Sequence, residues 1–229
     1  MVMAEATNHY FKHLGVSDGL SQVCIPSIYQ DELGAVWLGT TEGLNRYNGK
    51  DVKVFQPSES NHGLTNNEIN ELCGDKNGRM YIRSGNDLIK LDIYTEQFTC
   101  LRQKGVYGLF CKKDTLWVSC ADGIYYYTGQ GTELTFFARV QKGFVGRALY
   151  VDRETVWVVT RKYLVAISRE DPLRQEILLT LDKGNCILGD SSGNIWVGAW
   201  NGLYRVSPDR ETTAYVSHSG MGELSLIHI

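Results

Sequence analysis

Five times along the chain an aromatic residue opens a short β-like run, at Trp37, Tyr81, Trp117, Trp157 and Trp196, spaced 44, 36, 40 and 39 residues apart. A period near 40 residues built from short strands is the length of one propeller blade. Seven residues after each anchor stands an aliphatic residue: Leu44, Leu88, Ile124, Leu164 and Leu203. An offset that holds in all five units marks a structural repeat. Three units also place an Asp six residues and a Gly three residues before the anchor, as Asp31 with Gly34, Asp75 with Gly78, and Asp190 with Gly193.

Each unit divides into four short strands. The first reads Ile25 to Tyr29, Val36 to Thr40, Leu44 to Tyr47 and Val52 to Phe55, with apolar or β-branched residues between turn residues. The Asp-x-x-Gly segment closes the first hairpin, because Asp bonds its own backbone a little further on and Gly accepts a left-handed conformation. Thr41-Glu42-Gly43 forms the second hairpin. A four-stranded sheet with two apolar faces cannot bury both alone, and stacking sheets around an axis solves this. The expected fold is all-β: about five four-stranded blades forming an open arc of a larger, seven-bladed propeller.

Composition narrows the partners. With 43% hydrophobic residues the chain can bury one substantial core, and a net charge of -3 gives no general pull toward phosphate backbones or anionic lipid. No nucleic acid and no membrane contact is expected. The six cysteines, Cys24, Cys73, Cys100, Cys111, Cys120 and Cys186, include no C-x-x-C pair, so small buried hydrophobes are their expected role and they do not fix the compartment. His9 and His13 have the spacing of a helical metal pair. The residues between them, Tyr10-Phe11-Lys12, read as strand, which would separate the rings by roughly 13 Å. No metal site and no cofactor is expected.

Both ends are set apart from the repeats. Residues 1–9 read as an N-terminal stub in which Ala4-Glu5-Ala6 has the small-x-small form of a signal-peptidase site. Residues 224–229, Leu-Ser-Leu-Ile-His-Ile, look like translated adapter sequence from DNA library preparation. The repeats occupy 10–223, with Tyr10 to Leu14 as the fourth strand of a further blade: Phe11 stands nine residues before Leu20, as Phe55 does before Leu64.

The first and last units resemble a family. Trp37-Leu38-Gly39-Thr40-Thr41-Glu42-Gly43-Leu44 and Asp190-Ser191-Ser192-Gly193-Asn194-Ile195-Trp196-Val197-Gly198 are similar to the repeats of two-component regulator propellers, and Phe11 through Leu20 resembles the start of the sensor region of hybrid two-component regulators. The three middle units, with Tyr81-Ile82-Arg83-Ser84, Trp117-Val118-Ser119-Cys120 and Trp157-Val158-Val159-Thr160, lose part of the W-x-G-T core. The resemblance implies a periplasmic sensor that recognises, or transmits the presence of, a glycan breakdown product without chemistry of its own. The kinase, receiver and DNA-binding parts of such regulators would lie outside this sequence.

Two other readings stand beside it: a propeller scaffold for protein partners, and a propeller hydrolase or lyase. Asp190 to Trp196 has only a superficial likeness to the sialidase Asp-box, whose Asp-to-Gly spacing is shorter, and no G-x-S-x-G elbow is present. For an oligosaccharide or other small ligand, the candidate residues sit at turns between second and third strands: Trp200, Arg161 and Tyr163, with Arg83 and Asn86 at or beside the turn of the second unit. An aromatic ring stacks on sugar C–H faces, and cationic or amide donors take hydroxyls or a carboxylate. Uncovered blade faces would also favour self-association.

Overall fold

The structure, a computed structural model, describes residues 13–58 and 63–216. Among them are twenty strands in five four-stranded antiparallel sheets, each a simple up-and-down meander. Blade 1 holds β1 (Ser27–Gln30), β2 (Val36–Thr40), β3 (Gly43–Tyr47) and β4 (Val52–Phe55). Blade 2 holds β5 (Ile69–Gly74), β6 (Arg79–Ser84), β7 (Asp87–Asp92) and β8 (Gln97–Arg102). Blade 3 holds β9 (Val106–Lys112), β10 (Thr115–Cys120), β11 (Gly123–Tyr127) and β12 (Thr135–Ala138). Blade 4 holds β13 (Gly146–Val151), β14 (Thr155–Thr160), β15 (Tyr163–Ser168) and β16 (Gln175–Thr180), and blade 5 holds β17 (Cys186–Gly189), β18 (Ile195–Ala199), β19 (Gly202–Val206) and β20 (Thr212–Val216). The repeat read from the sequence is thus the blade. In blade 1, β1 ends one residue later than expected and β3 begins one residue earlier, and β1 starts at Ser27, since Pro26 has no N–H to give to the ladder.

The first strands pack side by side around the axis, β1 on β5, β5 on β9, β9 on β13 and β13 on β17. Every anchor pairs with its own first strand in the same register, Trp37 with Tyr29, Tyr81 with Cys73, Trp117 with Phe110, Trp157 with Tyr150 and Trp196 with Leu188. Four hydrophobic clusters among the described residues fill the spaces between successive blades. The cluster between blades 1 and 2 joins Trp37, Leu44 and Phe55 to Ile69, Met80 and Ile82, with side chains that are almost wholly buried.

The hairpin turn has a shared mechanism. Asp31 Oδ1 accepts from the Leu33 and Ala35 amides at 3.0 and 2.9 Å, and Oδ2 accepts from the Trp37 indole N–H at 2.7 Å. Gly34, at φ +85°, supplies the left-handed residue that the turn needs. Asp190 repeats the arrangement with the Ser192 and Asn194 amides and the Trp196 indole at 2.9, 2.8 and 2.9 Å. These hydrogen bonds hold the Asp190 carboxyl down at about 2. Asp152, which the spacing rule passed over, does the same for Trp157 at 2.6 Å from a turn one residue shorter. In blade 2 the anchor is Tyr81 and has no indole N–H, so Arg79 Nε takes the free oxygen of Asp75.

Residues 1–12, 59–62 and 217–229 lie outside the described set, so the stub at 1–9, the strand at Tyr10 to Leu14 for its first three residues, and the tail at 224–229 fall there. His13 and Leu14 are described and are not in a strand. Leu20 and Leu64, expected to be equivalent, are both buried.

Candidate functional site at the mouth of the central channel

The five first strands surround a cavity of about 810 Å³ on the propeller axis. What faces it is decided by irregularities in those strands. In β5 the register with β6 shifts between Ile69 and Glu71, leaving Asn70 as an extra residue. In β9 the pairing passes from Gly108 to Val106, leaving Tyr107 unpaired, and in β13 it passes from Gly146 to Ala148, leaving Arg147 unpaired. A bulge re-aims the side chain of its extra residue. Asn70, Tyr107 and Arg147 all line the cavity.

These three bulges fall at the same level of the ring, beside the turns between second and third strands. Asn185, just ahead of β17, joins them, as do Arg83, Asn86 and Glu71. Arg83 Nε donates to Glu71 Oε2 and its Nη1 to the Gly85 carbonyl, both at 3.3 Å, and Asn70 Nδ2 donates to that same carbonyl at 3.2 Å. Arg83 is therefore a positioned, largely neutralised group. The Arg147 guanidinium is exposed and makes no hydrogen bond or ion pair among the described residues. The opposite end of the cavity is walled by Tyr29, Cys73, Phe110, Cys111 and Leu188. The mouth thus offers amides, one phenol ring and one unpaired cation above an apolar interior, an arrangement suited to a polar ligand with an anionic group.

Of the five residues proposed from sequence, the structure brings Arg83 and Asn86 together at this mouth. Trp200, Arg161 and Tyr163 gather elsewhere, around the connection between blades 4 and 5. The Trp200 amide donates to the Asp182 carbonyl at 2.9 Å, and the Arg161 carbonyl accepts from Gly184 at 3.1 Å. Trp200 is 67% exposed, with the Lys183 ammonium 4.7 Å from its ring, whereas the Tyr163 ring packs on Phe144 at 4.9 Å. None of these three lines the cavity. Asn70, Tyr107 and Arg147 escaped the sequence reading because it searched the turns.

No group of three or more His, Cys, Asp or Glu among the described residues is placed to hold a metal ion. No helix among them is long and apolar enough to cross a membrane.

Residues 19–42, which cover β1, its turn, and β2, match the two component regulator propeller family. That stretch carries one repeat of the family. A 53-residue stretch is 40% identical to a histidine kinase, P4, of Formosa agariphila, covering 23% of this chain and 4% of the kinase. Among solved structures, the fold is similar to the extracellular domain of a hybrid two component system from B. thetaiotaomicron, with a TM-score of 0.77 at 22% identity, covering 90% of this chain and 32% of the other. It is also similar to the extracellular domain of a one component system from the same organism, with a TM-score of 0.75 at 19% identity over 90% of this chain and 33% of that one. A streptogramin B lyase shares the fold as well, with a TM-score of 0.67 at 16% identity over 88% of this chain and 71% of the lyase. The chain spans about a third of the two extracellular domains, and identities this low speak for the fold alone.

Proposed function

We propose that the chain is a ligand-sensing propeller segment of a hybrid two-component regulator, located in the periplasm and without catalysis of its own. It takes a glycan breakdown product at the mouth of the central channel. The observation that carries this reading is the convergence of three bulged residues, Asn70, Tyr107 and Arg147, on one end of the cavity. Bulges repeated at one level in consecutive blades point side chains inward with no benefit to the ladder. The Tyr107 ring stacks on a sugar face, the Asn70, Asn86 and Asn185 amides take hydroxyls, and Arg147 takes a uronic carboxylate or sulfate. The match of residues 19–42 and the similarity to extracellular sensor domains support the regulatory setting. The five blades are read as an arc of a larger ring, on the ground that Tyr215 on the fourth strand of blade 5 stays 48% exposed where Phe55, its counterpart in blade 1, is 5% exposed.

Calorimetric titration of the sensor with acidic and neutral oligosaccharides tests the reading. Arg147→Ala should weaken an acidic ligand at least tenfold and Tyr107→Ala both kinds. Unchanged affinity in both variants, or no binding across the panel, would sink it. A second reading, contact with a protein partner, draws on the exposed Trp200 beside Lys183. Trp200→Ala and Arg161→Ala in the same titrations test whether that outer position takes sugar instead.

A further inference from the structure

At the inner end of the cavity the Cys111 and Cys73 sulfurs lie 3.0 Å apart, Cys111 on β9 of blade 3 and Cys73 on β5 of blade 2. That is about 1 Å beyond a bonded pair and inside ordinary sulfur–sulfur contact. The repeat shows what this position is elsewhere. Cys73 stands opposite its anchor, where Tyr29 and Tyr150 stand in blades 1 and 4, and Cys111 is in register with Gly74 and Gly189. At those two interfaces a tyrosine ring lies over a glycine of the next blade, so closely that a methyl group on Gly74 or Gly189 would collide with it. Between blades 2 and 3 the ring and the glycine are both replaced by cysteine. A position built for side-chain contact across blades thus holds two thiols. Both line the cavity and are partly exposed.

We propose that Cys73 and Cys111 form a reversible disulfide that clasps blades 2 and 3 when the chain meets a disulfide oxidant. One thiolate attacks a sulfur of a small-molecule disulfide such as oxidised glutathione, and one glutathione thiolate leaves. The second cysteine thiolate then attacks the protein sulfur of the mixed disulfide, forming the Cys73–Cys111 bond and releasing the second glutathione. Two electrons pass to the oxidant, and the protein loses two protons. Burial and the neighbouring Cys111 sulfur push the Cys73 thiol well above its ordinary value, so the reaction is faster at higher pH. The clasp closes a loop of 38 residues, removes freedom from the unfolded chain and leaves the polar mouth unobstructed.

The test is peptide mapping of the full chain after equilibration with oxidised glutathione, followed by alkylation under denaturing conditions. The expected product is two hydrogens lighter, with a linked peptide containing Cys73 and Cys111, while the other four of the six cysteines are alkylated. Its Tm rises by on the order of 10 °C and falls back with dithiothreitol. Cys73→Ser and Cys111→Ser each abolish the linked peptide and the redox dependence of Tm. Alkylation of all six cysteines in the wild-type chain, or a link that uses another cysteine, overturns the proposal whether or not the variants fold. The readout is covalent and needs no glycan, so it stands or falls apart from the sensing reading.

Discussion

Blades 1 and 5 carry the same local design and differ in what covers it. Trp37 and Trp196 each give their indole N–H to an Asp six residues back, at 2.7 and 2.9 Å, and each stacks on an aromatic of the fourth strand, Phe55 at 5.7 Å and Tyr215 at 5.9 Å. Trp37 is nonetheless wholly buried and Trp196 only half-buried; Phe55 is 5% exposed and Tyr215 48%. Blade 2 makes the difference. Phe98 packs edge-on against Phe55 at 5.7 Å, and Glu96 bonds Arg46 at 3.2 Å, whereas Arg205 at the corresponding place in blade 5 makes no ion pair among the described residues. The repeat therefore encodes the turn, the indole bond and the stacking within a blade, and the neighbouring blade supplies burial.

The sharpest way to break the comparison is to remove both tryptophans in turn. Trp37→Ala leaves a cavity sealed by two sheets and should cost about 3–5 kcal/mol in urea unfolding. Trp196→Ala gives up a partly exposed ring and should cost roughly 1–2 kcal/mol. Equal losses would mean that a further surface covers blade 5 in solution.

How much of this was legible follows the same division. The anchors and the aliphatic residue seven positions on marked the blades because both repeat, and four of the five aliphatics, Leu44, Leu88, Ile124 and Leu164, are wholly buried. Asp152 was missed since its turn is a residue shorter, although its oxygens make the same bonds. The channel mouth was half legible. Arg83 and Asn86 belong to a turn that the repeat marks out, while Asn70, Tyr107 and Arg147 reach the channel through bulges, and a bulge is a property of pairing between two strands that no single strand's pattern displays.

The Asp turn offers the next contrast. Asp31 is 4% exposed and loses three hydrogen bonds when replaced, so Asp31→Ala should cost about 2–4 kcal/mol. Asp190→Ala should cost less, its surroundings being open to water. Acid separates the two states of Asp190 without mutation. Its carboxyl is held at about 2, below the unfolded value near 4, so its contribution is complete above about pH 4 and is lost as the pH falls toward 2. Asp190→Asn should flatten the loss of Tm over that window. A slope identical to the wild type would assign the acid sensitivity to other carboxylates.

The smallest effect is expected where the design is already broken. Tyr81 fills the anchor site of blade 2 as completely as Trp37 fills that of blade 1, and its ring meets Tyr127 edge-on at 6.0 Å. Its hydroxyl, however, has no hydrogen-bond partner, and burial pushes its ionisation well up. Asp75, the natural acceptor, spends its outer oxygen on Arg79. A buried, unsatisfied hydroxyl costs its lost hydration with no return, and removing it keeps the ring's packing. Tyr81→Phe should therefore leave stability unchanged or raise it by about 1 kcal/mol in urea unfolding, the reverse of the sign expected from cutting any indole bond in the other blades. A clear loss instead would mean that the hydroxyl holds an ordered water, which would make the site of blade 2 equivalent to those of blades 1, 4 and 5 after all.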